Sequence, residues 1–154
     1  MSEDVGDNLP DFSLSTDGGG TLTSASLRGK KVVLYFYPKD DTSGCTKEAQ
    51  AFRDMADAFA ATGAVVVGVS RDSVASHDKF KAKHALTFPL LADEDGRLCN
   101  ALGVWVQKSM YGKSYMGIER TTFLVDQHGM IRRAWRKVKV PGHAAEVLAA
   151  AQAL

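Results

Sequence analysis

Residues Tyr35–Phe52 read YFYPKDDTSGCTKEAQAF. The stretch opens inside an apolar run, breaks at Pro38, and closes inside a helical pattern. Val32–Tyr37 is dense in β-branched and aromatic residues, as a buried central strand requires. Beyond the break, Phe52, Met55, Ala56 and Phe59 recur at i, i+3, i+4 and i+7, the spacing of one helix face. Extended backwards, that stripe takes in Ala49 and Cys45. A second apolar run, Ala64–Ser70 (AVVVGVS), follows the helix. Strand, helix, strand makes a βαβ unit, and its two strands are expected to be parallel.

Working outward, Asp17–Thr21 (DGGGT) lies between FSLST and TLTSASL and reads as the turn of an N-terminal hairpin. It lacks the Gly-Lys-Ser/Thr of a phosphate-binding loop. Ser73–His84 reads as a helix. Asp93–Gly103 (DEDGRLCNALG) reads as a turn leading into a short helix. Thr121–Val125 and Ile131–Val138 form an antiparallel hairpin around DQHG, and His143–Leu154 is a closing helix. The pattern is α/β, with a mixed central sheet flanked by helices and an N-terminal hairpin extension. Thioredoxin-like folds have this order, and residues 1–154 read as one such domain.

Composition narrows the function. The chain has 154 residues and a formal net charge of +1, which argues against a general polyanion binder. Its N-terminus, MSEDVGDNLP, lacks the apolar core of a signal peptide. The longest apolar stretches, VVLYFY and AVVVGV, are far short of the ~20 residues of a membrane span. Two cysteines form no disulfide framework, so a soluble cytoplasmic protein is expected. His77, His84, His128 and His143 show no paired ligand spacing, and Asp93–Gly96 reads as a turn rather than a calcium loop. No metal or cofactor is expected. The basic run RRAWRKVKV from Arg132 alternates like a solvated edge strand, so no nucleic-acid contact is expected.

Cys45 therefore lies in the first turn of the helix, on the face turned toward the body. Partial burial disfavours a thiolate there, whereas the free N–H groups and positive end of the helix favour it. A fixed cation would decide between the two. A small buried thiol acting only as filler is the plain alternative.

The spacing Pro38, Thr42, Cys45 resembles the Pro-x-x-x-Thr-x-x-Cys signature of peroxiredoxins. The flanks YFYPKDDT, GCTKEA and FRD look like the subgroup called peroxiredoxin Q or bacterioferritin comigratory protein. The resemblance continues through PDFSL at Pro10, LLADEDG at Leu90, GVW at Gly103 and MYGKSYMGIERTTFLVD at Met110. It implies a peroxidatic role for Cys45, a hydrogen bond from or to peroxide at Thr42, shielding of the thiolate by Pro38, and a cationic role for Arg120. It also implies a thiol-dependent antioxidant peroxidase that uses hydroperoxides and a thiol reductant such as thioredoxin or glutaredoxin. The expected assembly is a monomer or weak dimer.

The chain departs from the pattern at several positions. Ser43 stands where the subgroup usually has Pro, and is expected to serve as a capping residue. Gln50 stands where many members carry a resolving cysteine, and the following helix has none. Val106 replaces a common Gly. Cys99 is the remaining candidate for resolution. The expected cycle is one-cysteine, reduced by an external thiol. A two-cysteine cycle through Cys99 stays open. A dithiol oxidoreductase would need Cys-x-x-Cys, and Thr46, Lys47 and Glu48 follow Cys45.

Overall fold

The structure, a computed structural model, describes residues 5–154. The chain runs β1 (Ser13–Thr16), β2 (Thr21–Thr23), β3 (Lys31–Phe36), α1 (Ser43–Asp54), α2 (Ala56–Ala61), β4 (Ala64–Ser70), α3 (Val74–His84), β5 (Leu90–Ala92) and α4 (Arg97–Ala101). It continues through β6 (Trp105–Met110), β7 (Lys113–Ile118), β8 (Thr121–Val125), β9 (Ile131–Trp135) and α5 (His143–Ala153).

Seven strands form one mixed sheet in the order β2-β1-β5-β4-β3-β8-β9. β3 and β4 are parallel, as the βαβ reading requires, with Tyr35 opposite Gly68. β8 runs antiparallel to β3, and β9 antiparallel to β8. The N-terminal hairpin β1–β2 extends the far edge and joins the sheet through β5. β9 is the opposite edge strand, with Arg132 and Arg133 exposed; it ends at Trp135 rather than at the expected Val138, so it carries only the first part of the basic run. β6 and β7 stand apart as a two-stranded antiparallel hairpin. Its turn uses left-handed backbone at Tyr111 and Gly112, the geometry of a tight hairpin turn.

Side chains alternate across a strand, so the sheet separates two cores. Val33, Tyr35 and Tyr37 face one core, with Cys45, Ala49 and Phe52 of α1, Phe59 of α2, Phe80 of α3, and Val147 of α5. Val32, Leu34 and Phe36 face the other, with Leu98 and Cys99 of α4, and Phe123 and Ile118. Gly68 makes the first core possible at its centre. A Cβ there would lie 2.9 Å from Leu90 Cδ2 and 3.0 Å from Tyr35 Cζ. Without one, the Tyr35 ring stacks on Phe52 at a centroid distance of 4.7 Å.

Two expectations need correction. The helix after Cys45 is two segments, because Met55 leaves helical geometry at φ −103° and ψ 9°. The apolar stripe defined the buried face but not its continuity; Phe52 and Phe59 still meet across the break, 5.9 Å apart. Ser43 is not the cap. It is the first residue of α1, and the cap position is Thr42, whose side chain makes no capping bond. Elsewhere the helix signals hold. Ser73 caps α3 by accepting from Ser76 N–H, and Asp93 accepts from the N–H groups of Leu98 and Cys99 at the start of α4. Among the described residues, no helix is long and apolar enough to cross a membrane.

Candidate active site

The central strand β3 ends against β4 and β8, and the chain then turns through residues 38–42 into α1. This turn puts Cys45 in the first turn of α1, at the C-terminal end of the central strands, 1% exposed. The first N–H groups of a helix have no carbonyl partners within it, so the Cys45 end of α1 presents free donors and the positive end of its dipole.

Arg120 sits between β7 and β8 and reaches this point from the opposite direction. Its Nη2 donates to Cys45 Sγ at 3.4 Å, and its Nη1 donates to Glu48 Oε1 at 2.7 Å. Gly44 lets the guanidinium come this close, since a Cβ there would lie 3.2 Å from Nη2. The cation anticipated for the helix start is therefore in place. Burial opposes the charge on Arg120, but Glu48 and Cys45 outweigh it and hold the group firmly cationic.

Thr42 lies at the mouth of the site. Its hydroxyl donates to the Lys39 carbonyl at 2.9 Å, which fixes the proton and leaves the oxygen lone pairs available. Pro38 is half-buried at the start of the same loop. Of the four residues singled out from the sequence, Pro38 and Thr42 lie on the chain that leads into α1, Cys45 lies in the first turn of α1, and Arg120 contacts the Cys45 sulfur.

Three more residues complete it. Glu48 is 2% exposed, and burial lifts its carboxyl to about 7 against the pull of Arg120. Its Oε2 has no partner among the described residues. The signal was its position: three residues after Cys45, it lies on the apolar stripe, where an acid demands a buried cation. Tyr35 lies beneath the thiol. Burial, then Glu48 and Cys45, push its hydroxyl well above the ordinary phenol range. Lys108 of β6 approaches from the hairpin, and burial followed by the Arg120 charge lowers its pKa.

Cys99 is absent from this site. It is fully buried in the other core, across the sheet, and its N–H donates to Asp93 Oδ2 at 2.8 Å. Burial, followed by the Asp93 carboxylate, pushes its thiol far above the ordinary range.

Comparison with known proteins agrees with this geometry. The AhpC/TSA family profile matches residues 5–134. Peroxiredoxin Bcp of Bacillus subtilis (strain 168) is 51% identical over 148 residues, covering 96% of this chain and 94% of that protein. Among solved structures, Xanthomonas campestris peroxiredoxin Q superposes with a TM-score of 0.89 at 51% identity, over 92% of this chain and 90% of that one. Xylella fastidiosa PrxQ, solved as a cysteine-to-serine mutant, gives 0.94 at 44% identity, over 99% and 98% of the two chains. The fold is thioredoxin-like, and with its cysteine at the strand-to-helix turn the chain belongs to the AhpC/TSA family, as a peroxiredoxin of the Bcp or peroxiredoxin Q type.

Proposed function

We propose that this peroxiredoxin reduces hydrogen peroxide and organic hydroperoxides at Cys45, in a one-cysteine cycle closed by an external thiol. The contact between Arg120 Nη2 and Cys45 Sγ at the start of α1 carries this reading. The thiolate is the nucleophile in such chemistry. It attacks one peroxide oxygen, the O–O bond breaks, and the second oxygen leaves as hydroxide or alkoxide, which takes up a proton. Arg120 and the free N–H groups at the helix start are placed to stabilise the charge on the departing oxygen. Thr42 has its proton committed to Lys39, so its role is to accept the peroxide O–H. Pro38 shields the thiolate from bulk water. A similar protein, the bacterioferritin comigratory protein of Xanthomonas campestris, 50% identical, has alkyl peroxide reduction activity, which supports organic hydroperoxides as substrates.

The product on Cys45 is a sulfenic acid. A thiol condenses with it, releasing water and leaving a mixed disulfide, and a second thiol then frees Cys45. Gln50 supplies no resolving thiol, and Cys99 lies in the opposite core. The reductant is therefore a separate molecule, of thioredoxin or glutaredoxin type, in a reducing cytoplasm. The chain acts as a monomer or weak dimer and as one domain. The test is peroxide consumption with a thioredoxin system or dithiothreitol. The intact chain is expected to turn over and Cys45→Ser to be inactive; sustained turnover by Cys45→Ser overturns the assignment.

A further inference from the structure

The hairpin β6–β7 stands off the main sheet and carries a cation that the proposed chemistry does not use. Cross-strand partners share a face of a hairpin, and successive pairs alternate between its two faces. The first pair, Trp105 and Ile118, packs into the second core. The pairs Val106–Gly117, Lys108–Tyr115 and Met110–Lys113 therefore share the opposite face. That face is open to solvent, with Met110 56% and Tyr115 44% exposed.

Lys108 is half-buried on this face, and its stem lies across Gly117. A Cβ at Gly117 would stand 3.3 Å from Lys108 Cδ and 3.6 Å from its Cε. Gly117 is further from the hairpin turn than Tyr115, the residue opposite Lys108. The stem therefore runs away from the turn, toward the end of the hairpin that leads into Arg120. There the ammonium comes within electrostatic range of Arg120, Cys45 and Glu119.

The two cations near the sulfur are engaged differently. Arg120 commits Nη1 to Glu48 and Nη2 to Cys45. Lys108 forms no hydrogen bond or ion pair among the described residues, and Glu119 acts on it only through space. A half-buried ammonium has lost part of its hydration, and a lysine with a purely structural role regains it from a partner. In the reduced protein, a Cys45 thiolate offsets these positive charges. Oxidation to the sulfenic acid removes that negative charge and leaves the Lys108 ammonium facing a neutral group.

The next step brings in an anion. A thiolate attacks the Cys45 sulfur, the S–S bond forms as the S–O bond breaks, and the hydroxide takes up a solvent proton and leaves as water. Cys45 is reduced from the sulfenic to the disulfide level, and the incoming thiol is oxidised. We propose that Lys108 is a specificity-determining residue for this step, selecting thiols that carry a carboxylate beside the attacking sulfur. The proposal rests on the reading of Cys45 as a thiol oxidised by peroxide and reduced from outside.

The experiment oxidises the full chain with one equivalent of hydrogen peroxide. It then measures reduction by mercaptopropionate, mercaptoethanol and cysteamine, which are anionic, neutral and cationic beside the thiol. Each rate is expressed per concentration of thiolate. Lys108→Met is expected to lower the ratio of the anionic to the neutral rate roughly fivefold, the scale of one unit charge at close range in solvated surroundings. The cationic thiol gains in the same variant, Lys108→Glu reverses the order of the three, and Lys108→Arg keeps the original order. The preference fades as salt is raised. Lys30→Met, at the opposite end of β3, keeps the ratio of the intact chain and serves as control. A ratio unchanged in Lys108→Met, or an equal change for all three thiols, overturns the proposal. Alkylation of reduced Cys45 by iodoacetate and by iodoacetamide, read by peptide mapping, needs no peroxidase chemistry. If no sulfenic acid forms, the reading of Cys45 has failed, and an iodoacetate preference that Lys108→Met abolishes still supports the charge selection. If that preference survives in Lys108→Met, Lys108 has no such role.

Discussion

Glu48 Oε1 and Arg120 Nη1 lie 2.7 Å apart behind the thiol, in an ion pair whose acid is almost completely buried. Burial raises the Glu48 carboxyl from 4.5 to about 7. A group whose folded pKa is raised stabilises the fold below its unfolded pKa, and that contribution is lost as pH climbs through the folded value. The intact chain should therefore lose stability relative to Glu48→Gln between pH 4.5 and about 7, at no more than about 1.4 kcal/mol per pH unit. Urea unfolding of both proteins across that range checks it. Parallel curves would mean that Glu48 does not titrate there.

Arg120 touches both Glu48 and the sulfur, so replacing it removes a donor from the reacting atoms and strands a buried acid. Arg120→Met is expected to slow Cys45 oxidation by ~10², the scale of losing one preorganised donor. Arg120→Lys should recover only part of the rate, because an ammonium cannot contact both partners as a planar guanidinium does. Stopped-flow mixing with peroxide measures both. Equal rates in all three proteins would remove Arg120 from the reaction.

With one equivalent of peroxide and no added thiol, Cys45 is expected to become a sulfenic acid that a dimedone probe traps, while Cys99 stays a free thiol. Intact-mass measurement and peptide mapping read this directly. A disulfide needs Cα atoms within ~7 Å, and these two cysteines belong to different cores. A quantitative Cys45–Cys99 link within one chain would refute the one-cysteine cycle, and a link between chains would assign resolution to a dimer.

Gly68→Ala should destabilise the protein by about 1–3 kcal/mol, since the new methyl group meets Leu90 and the Tyr35 ring at close to 3 Å. Tyr35 stacks on Phe52 of α1, so peroxide oxidation should slow as well. Denaturant midpoints and stopped-flow rates test the two effects separately. A midpoint equal to that of the intact chain would show that the core yields without cost.

The βαβ unit and the cysteine at its turn were legible because local signals agree there: a β-branched run, a break, and an apolar stripe at helical spacing. The hairpin Trp105–Ile118 was not assigned, because it alternates weakly and turns at Tyr111, a residue rarely found in left-handed backbone. The break at Met55 was invisible because the stripe runs on across it. Asp40 and His77 stand 37 residues apart, and only the fold brings them together. Glu48 could have been found from its place on the stripe, but its partner lies 72 residues away.

The sheet between Cys45 and Cys99 has a consequence for the chain's oxidative economy. A protein with two neighbouring thiols can shelter an oxidising equivalent as an internal disulfide. Here the proposed cycle has nowhere inside the molecule to put it. Each peroxide leaves Cys45 waiting in the sulfenic state for as long as outside thiol is scarce, and a second peroxide arriving in that interval carries it irreversibly to the sulfinic acid. Throughput is therefore set by the surrounding thiol pool, and when that pool runs low while peroxide persists, the enzyme is consumed molecule by molecule.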